Sequence, residues 1–139
     1  MYMMDTNKPM TVDDEIAYNN YKLTADIYLN DVAVDTWKNG SGNVWPYNFQ
    51  FRGHFDGDGR VVYGVYCSGG DYAGLFPSTH SNGAQNPVSI KNLGIENSYF
   101  EGTYAAAFVG KPDGSYSNLT IENCYAGADV EVKGSLRSG

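Results

Sequence analysis

Apolar side chains return at every second position along this chain, in short runs, and do not sustain a helical period. Leu23, Ala25, Ile27 and Leu29 alternate with polar or small residues. Phe49, Phe51 and Phe55 fall on one face while Gln50, Arg52 and His54 fall on the other. Leu93 with Ile95 and Leu119 with Ile121 continue the pattern. Period two marks strands with one buried face, because successive side chains leave a pleated backbone on opposite sides. Gly and Asn interrupt these runs too often for α-helix. One exception is "TVDDEIAY" at 11–18, which predicts a short helix with Thr11 as N-cap and Asp14 three residues on.

Two segments echo one another. Asn-Leu-x-Ile-Glu-Asn-x-Tyr is spelled at 92–99 and again at 118–125, a step of 26 residues, and "YAGLF" at 72–76 returns as "YAAAF" at 104–108, a step of 32. The longer connection "PSTHSNGAQNP" at 77–87, against "VGKPDGS" at 109–115, reads as a loop insertion that absorbs the difference. A repeat of this length, built of short strands, describes a parallel β-helix in which each unit is one coil. The expected fold is therefore all-β, with residues 1–22 as an N-terminal cap or lead-in and 23–139 as coils, their repeat signatures at 72–99 and 104–125. If repeated residues stack, Leu93 lies on Leu119 and Ile95 on Ile121 in the lumen. Asn92 with Asn118 and Asn97 with Asn123 then form amide ladders at the corners, about 4.8 Å from coil to coil.

Composition agrees. The 139 residues are rich in Gly (17) and Tyr (12), and only 18% are charged, which favours strands and turns. A net charge of −7 with nine Lys and Arg argues against nucleic acid. No apolar run spans a membrane and no polybasic run would bind its surface, so no direct membrane insertion is expected. "MYMMDTNKPM" has no basic region followed by an apolar stretch, so no signal peptide is visible, and the sequence stops just after the second coil signature. Both ends read as those of a segment cut from a longer protein. The uncapped last coil invites edge-to-edge self-association.

"FRGHFDGDGRVVYGVY" at 51–66, followed by "YAGLF" and "IKNLGIEN", resembles the GLUG-motif domains of bacterial surface proteins, including adhesins and immunoglobulin A-specific metallopeptidases. Phe51, Gly53, Phe55, Asp56, Gly57 and Gly59 match the first part of the family pattern. Gly74, Leu75 and Phe76 match the second part, and Asn92, Leu93 and Ile95 the third. Asp58, Arg60, Pro77 and the Ala106-Ala107 pair depart from it. The likeness covers roughly residues 20 to 134. It implies a right-handed β-helix located extracellularly or on the cell surface, and a non-catalytic adhesion, recognition or spacer module, with a host glycan or a surface or matrix protein as the partner. The alternative is a fragment of a carbohydrate-active β-helix enzyme, a polysaccharide hydrolase or lyase.

The candidate chemistry is sparse. "DGDG" at 56–59 makes Asp56 and Asp58 weak calcium candidates, but the segment lacks the further ligands of an EF-hand and reads as a tight turn. Sugar chemistry needs converging carboxylates. Asp71 is matched one coil on by Thr103, and the acids that do repeat, Glu96 and Glu122, are expected side by side on the outer face. Neither arrangement makes a catalytic set, so no catalytic residue, metal or cofactor is assigned. His54 and His80 do not have zinc spacing with the two cysteines. Cys67 and Cys124, two coils apart at one corner, are expected as free thiols. "NGS" at 39–41 and "NLT" at 118–120 fit the glycosylation pattern, with Asn118 already explained by the ladder. The ligand-binding candidates are Trp37, Trp45 and Tyr47 in "DTWKNGSGNVWPYNF" (35–49), whose rings would suit sugars or a protein partner, or would instead cap the first coil.

Overall fold

A computed structural model describes residues 20–82, 87–116 and 118–138. The strands are β1 (Asn20–Lys22), β2 (Ile27–Tyr28), β3 (Gln50–Phe51), β4 (His54–Tyr63), β5 (Tyr66–Ala73) and β6 (Phe76–Asn82). They continue with β7 (Val88–Glu96), β8 (Ser98–Ala105), β9 (Val109–Tyr116), β10 (Leu119–Glu122), β11 (Tyr125–Ala126) and β12 (Val130–Ser138). Every ladder is parallel, and the strands form three sheets: β1 and β2 with β4, β7, then β10 and β11; β5 with β8 and β12; β3 with β6 and β9. The chain visits the sheets in rotation, which makes a β-solenoid of about three turns. The expected short helix at 11–18 lies outside the described residues.

The lumen is filled from all three sheets. Phe55, Phe76, Ile90, Leu93, Ile95, Val62, Val65 and Phe100 are all at most 2% exposed. Phe51, Phe55 and Phe76 pack ring against ring, with centroids 4.9 to 6.4 Å apart. Burying such side chains supplies roughly 1.5–3 kcal/mol each, the dominant favourable term in a fold with hardly any helix.

The alternation at 23–29 is interrupted. Tyr21 and Leu23 are buried, but the chain bends between β1 and β2 and leaves Ala25 exposed, with Ile27 and Leu29 half-buried. The segments 77–87 and 109–115, expected as loops, are largely the strands β6 and β9 of the third sheet. Their Ser, Thr, Pro and Lys content hid them. Thr79 and Ser81 nonetheless point inward, each 1% exposed.

The coil register also differs from the expected one. Tyr72 pairs with Tyr104 and Ala73 with Ala105, as the 32-residue echo requires. The 26-residue echo is not a coil. Leu119 stacks on Val88, Ile121 on Ile90 and Ala126 on Ile95, so Leu93 does not meet Leu119 and Ile95 does not meet Ile121. The cause is a tripeptide pattern written twice within one coil, Ile90-Lys91-Asn92 and Ile95-Glu96-Asn97. Ile121-Glu122-Asn123 matches the second copy best by identity but stacks on the first. That choice sets Glu122 against Lys91, with Oε2 and Nζ 3.7 Å apart, where the identity-based register would set it against Glu96. Like charges directly opposite one another destabilise a sheet and opposite charges support it.

The corrected register separates the two isoleucines. Ile95 is fully buried, whereas Ile121, in the last coil, is 45% exposed. Ile95→Asp places an unpaired charge in the lumen and is expected to cost several kcal/mol, enough to unfold the domain. Ile121→Asp is expected to cost about 1 kcal/mol or less. Thermal melts of the two variants check the register, and equal losses would contradict it.

Candidate functional site

The bend inside the first sheet is the most repetitive polar feature of the molecule. Asp58, Asn92 and Asn123 all adopt left-handed backbone, with φ of 51°, 56° and 55°. Asn and Asp tolerate that region because their short side chains bond locally. Asn123 Nδ2 donates to Asn92 Oδ1 at 2.8 Å, and Asn92 Nδ2 donates to Asp56 Oδ1 at 3.1 Å. The ladder thus runs Asp56–Asn92–Asn123, in place of the expected Asn92–Asn118 and Asn97–Asn123 pairs. Asn118 is exposed and gives its backbone N–H to Ser81 Oγ at 2.6 Å. Asn97, also left-handed at φ 47°, turns the chain from β7 into β8 and donates its N–H to Asp129 at 3.1 Å.

"DGDG" is a turn in the structure. The backbone N–H of Asp58 donates to Asp56 Oδ1 at 2.8 Å, and Gly59 follows with φ 78°. A side chain at Gly57 would run into the backbone of Asn92 and Leu93, so the close approach of coils here requires glycine. The bond from Asn92, the Asp58 N–H and nearby Lys22 and Lys91 hold the Asp56 carboxyl below its ordinary 3.8. Among the described residues no three His, Cys, Asp or Glu side chains gather as a metal site.

Among the described residues, the other carboxylates singled out by the sequence lie apart from one another. Asp71 lies opposite Thr103, whose hydroxyl is 3.5 Å from its Oδ1. Glu96 and Glu122 are not neighbours. Glu96 accepts from the Tyr125 hydroxyl at 2.7 Å, a bond that together with burial pushes the tyrosine up to about 12. Glu101 accepts from Tyr99 at 3.1 Å and Ser68 at 3.3 Å. His54 shares a 2.8 Å hydrogen bond with Ser89, and His80 sits half-buried on β6. The cysteines are free, but they do not share a corner. Cys67 pairs with Phe100 in the second sheet, while Cys124 precedes Tyr125 of β11 in the first. Burial pushes both thiols up.

The three aromatic candidates separate. Trp37 is 3% exposed on a 3-10 turn at Thr36–Asn39, and its indole N–H donates to Val34 O at 2.9 Å. Trp45 packs edge-on against Phe49, donates its indole N–H to Leu75 O at 2.8 Å, and gives its backbone N–H to Tyr66 O at 2.7 Å. The loop therefore occupies the first-coil place beside β5. Only Tyr47 is open, 44% exposed, with its ring lying where a side chain at Gly70 would be. So two of the three rings belong to the packing of the first coil.

Sequence reasoning missed two buried polar anchors. Asn30, 8% exposed, donates to Asn43 O at 2.9 Å and to Gly64 O at 2.8 Å, and accepts from Asn43 N–H at 2.8 Å. It clamps the aromatic loop to the next coil. Ser98, fully buried, accepts from Val65 N–H at 3.0 Å and donates to Glu96 O at 2.9 Å. Gly64 and Val65 lie about one coil away from these anchors, so no local pattern marks them. Outward tyrosines stack from coil to coil as Tyr28–Tyr63, Tyr66–Tyr99 and Tyr72–Tyr104, with centroids 4.5, 5.4 and 5.4 Å apart.

No family model matches the chain, and no solved structure does. The chain is 29% identical over 116 residues to halomucin of Haloquadratum walsbyi, a match that covers 78% of this chain and 1% of that protein.

Two expectations concern this region. Trp37→Ala is expected to lower stability by about 3–5 kcal/mol, as for other buried aromatics, whereas Tyr47→Ala stays within about 0.5 kcal/mol; thermal melts of the two variants check this. Asp56 sets a pH dependence. Its carboxyl is held low in the folded state, so the stability it contributes is complete above 3.8 and is lost as pH falls through the folded-state value. Melting temperature should therefore fall less for Asp56→Asn than for the unmodified chain between about pH 5 and about pH 2. Identical slopes would remove Asp56 from the account.

Proposed function

We propose that this domain is a non-catalytic module of a cell-surface or secreted protein, one that extends a rigid scaffold and presents its outer faces for recognition. Its likeness to part of the far longer halomucin, on a chain that folds as a solenoid, carries this reading. A solenoid grows by about 4.8 Å per coil without needing a new core design, which suits a spacer. The GLUG-like residues at 51–59, 74–76 and 92–95 support placing it beside the accessory domains of surface proteins.

The side chains favour spacing and display over catalysis. Glu96 is tied to Tyr125, Glu122 to Lys91, Glu101 to Tyr99 and Ser68, and Asp56 to its own turn and ladder. Glycoside hydrolysis needs a free acid and a free base facing one another across a sugar. Trp37 and Trp45 support the first coil, which leaves Tyr47, of these three rings, open to a glycan or a matrix protein.

Incubation with a panel of polysaccharides, read as new reducing ends or unsaturated products, is expected to yield none. Release of either would replace this reading with the enzyme. The same domain is then placed on arrays of glycans and matrix proteins beside Tyr47→Ala. A blank array fits a spacer, and a hit lost in the variant assigns recognition to that face.

A further inference from the structure

We propose that Tyr28 and Tyr63 form a site of oxidative tyrosine coupling, at which a peroxide, acting through a haem peroxidase, joins the two rings and staples adjacent coils covalently. The pair lies on the outer side of the first sheet, between two coils of the solenoid. The link is independent of whether the module spaces or recognises.

The fold presents these rings to one another. Tyr28 lies opposite Tyr63 in the parallel ladder of β2 and β4. Their rings stack with centroids 4.5 Å apart and planes 6° from parallel, and their hydroxyls share a hydrogen bond. The backbone beside them is pinned. Leu29 donates its N–H to Tyr63 O at 2.9 Å, and Asn30 Nδ2 donates to Gly64 O at 2.8 Å. A side chain at Gly64 would run into the Asn30 backbone, so the close approach here requires glycine. Reacting groups held this near behave as if at very high local concentration. Tyr28 is 61% exposed, which opens the pair to an oxidant and gives its ring room to tilt towards Tyr63.

Charge selects this stack among the three. Glu96 lies opposite Tyr63 on the next coil, and Asp26 is also near, accepting from Val61 N–H at 2.9 Å. A phenol that loses an electron leaves a positive ring, which a neighbouring carboxylate stabilises, and a proton, which it can accept. One oxygen of Glu96 holds the Tyr125 hydroxyl at 2.7 Å, and the other can take that proton. Cations act the opposite way, because an ammonium over a ring face resists removal of an electron from it. Lys133 Nζ lies 5.1 Å from the centre of the Tyr99 ring, and Lys111 Nζ 5.0 Å from that of Tyr72. The Tyr66–Tyr99 and Tyr72–Tyr104 stacks therefore each carry a cation, and their centroids are farther apart, at 5.4 Å. Tyr99 also donates to Glu101 at 3.1 Å, but there the lysine offsets the carboxylate. Sulfur offers no competing staple, since Cys67 and Cys124 are free and lie in different sheets.

The chemistry balances. Each phenol gives up one electron and its hydroxyl proton, and the peroxide takes two of each to become two waters. The two radicals join through the ring carbons next to the hydroxyl-bearing carbons. The hydrogens on those carbons then move to the phenol oxygens, which restores both hydroxyls and leaves the domain lighter by two hydrogens.

The test treats the whole 139-residue chain, dilute, with a haem peroxidase and limiting hydrogen peroxide, then isolates the monomer and maps its peptides by mass spectrometry. The monomer is expected to lose two hydrogens, to fluoresce as dityrosine and to carry the link between Tyr28 and Tyr63. Its melting temperature is expected to rise by about 10 °C, because closing that loop restricts the unfolded chain. Tyr28→Phe and Tyr63→Phe keep the ring, and circular dichroism shows whether they fold; each is expected to lower the monomer link about tenfold. Tyr66→Phe and Tyr72→Phe are expected to leave it unchanged. In urea the same treatment is expected to scatter links over many tyrosine pairs. A monomer that gains no link, a link that persists in Tyr28→Phe, or an equal preference for this pair in urea overturns the proposal.

Discussion

Left-handed turning of the chain at fixed points in each coil is the constraint on which the rest of this structure depends. A parallel solenoid must bend at the same place in every coil, and each bend buries amide groups that need partners. Here the bend inside the first sheet falls on Asp58, Asn92 and Asn123, and the side chains of Asp56, Asn92 and Asn123 bond to one another across coils. The ladder therefore performs two tasks. It offsets the cost of the left-handed backbone, and it fixes which residues face which in neighbouring coils. Once Asn123 sits on Asn92, Ile121 must sit on Ile90 and Glu122 on Lys91.

Much of this fold is legible in the sequence because period-two alternation and coil repetition are strong signals. The placement of Phe51 and Phe55 inward and His54 outward follows from alternation alone, and the Tyr-Ala echo gives the true coil length. The register in the first sheet is not legible from identity, because the same strand carries Ile-x-Asn twice. Charge resolves what identity confuses, since only one of the two placements opposes Glu122 to a lysine. The third sheet is hard to see for a different reason. β6 and β9 are written in Ser, Thr, Pro and Lys, and strand character there comes from pairing with neighbouring coils and not from the segment itself.

The candidate site was legible in outline only. Tryptophans among glycines and asparagines mark either a binding loop or a cap, and the sequence leaves both open. The structure separates them through groups that no local pattern displays. Asn30 holds Asn43 and Gly64, and Leu75 offers its carbonyl to Trp45. Each of these contacts depends on a partner 13 to 34 residues away. Glu96 is a similar case. It looks like half of a repeated acidic pair, yet its partner is a tyrosine of the following coil.

Stacking across about 4.8 Å, apolar on apolar, ring on ring and charge on opposite charge, organises the interior and much of the outer surface. Apolar columns fill the lumen, tyrosines stack outside it, and charges alternate beside them. An enzyme built on such a scaffold must break this stacking somewhere, to bring polar groups together and leave them unsatisfied. Within the described residues the polar groups follow the pattern closely, with acids held by neighbours in their own or the adjacent coil. A pattern that holds this uniformly makes added length easy, and it is the physical ground on which the proposed reading of the domain as a spacing or recognition unit rests.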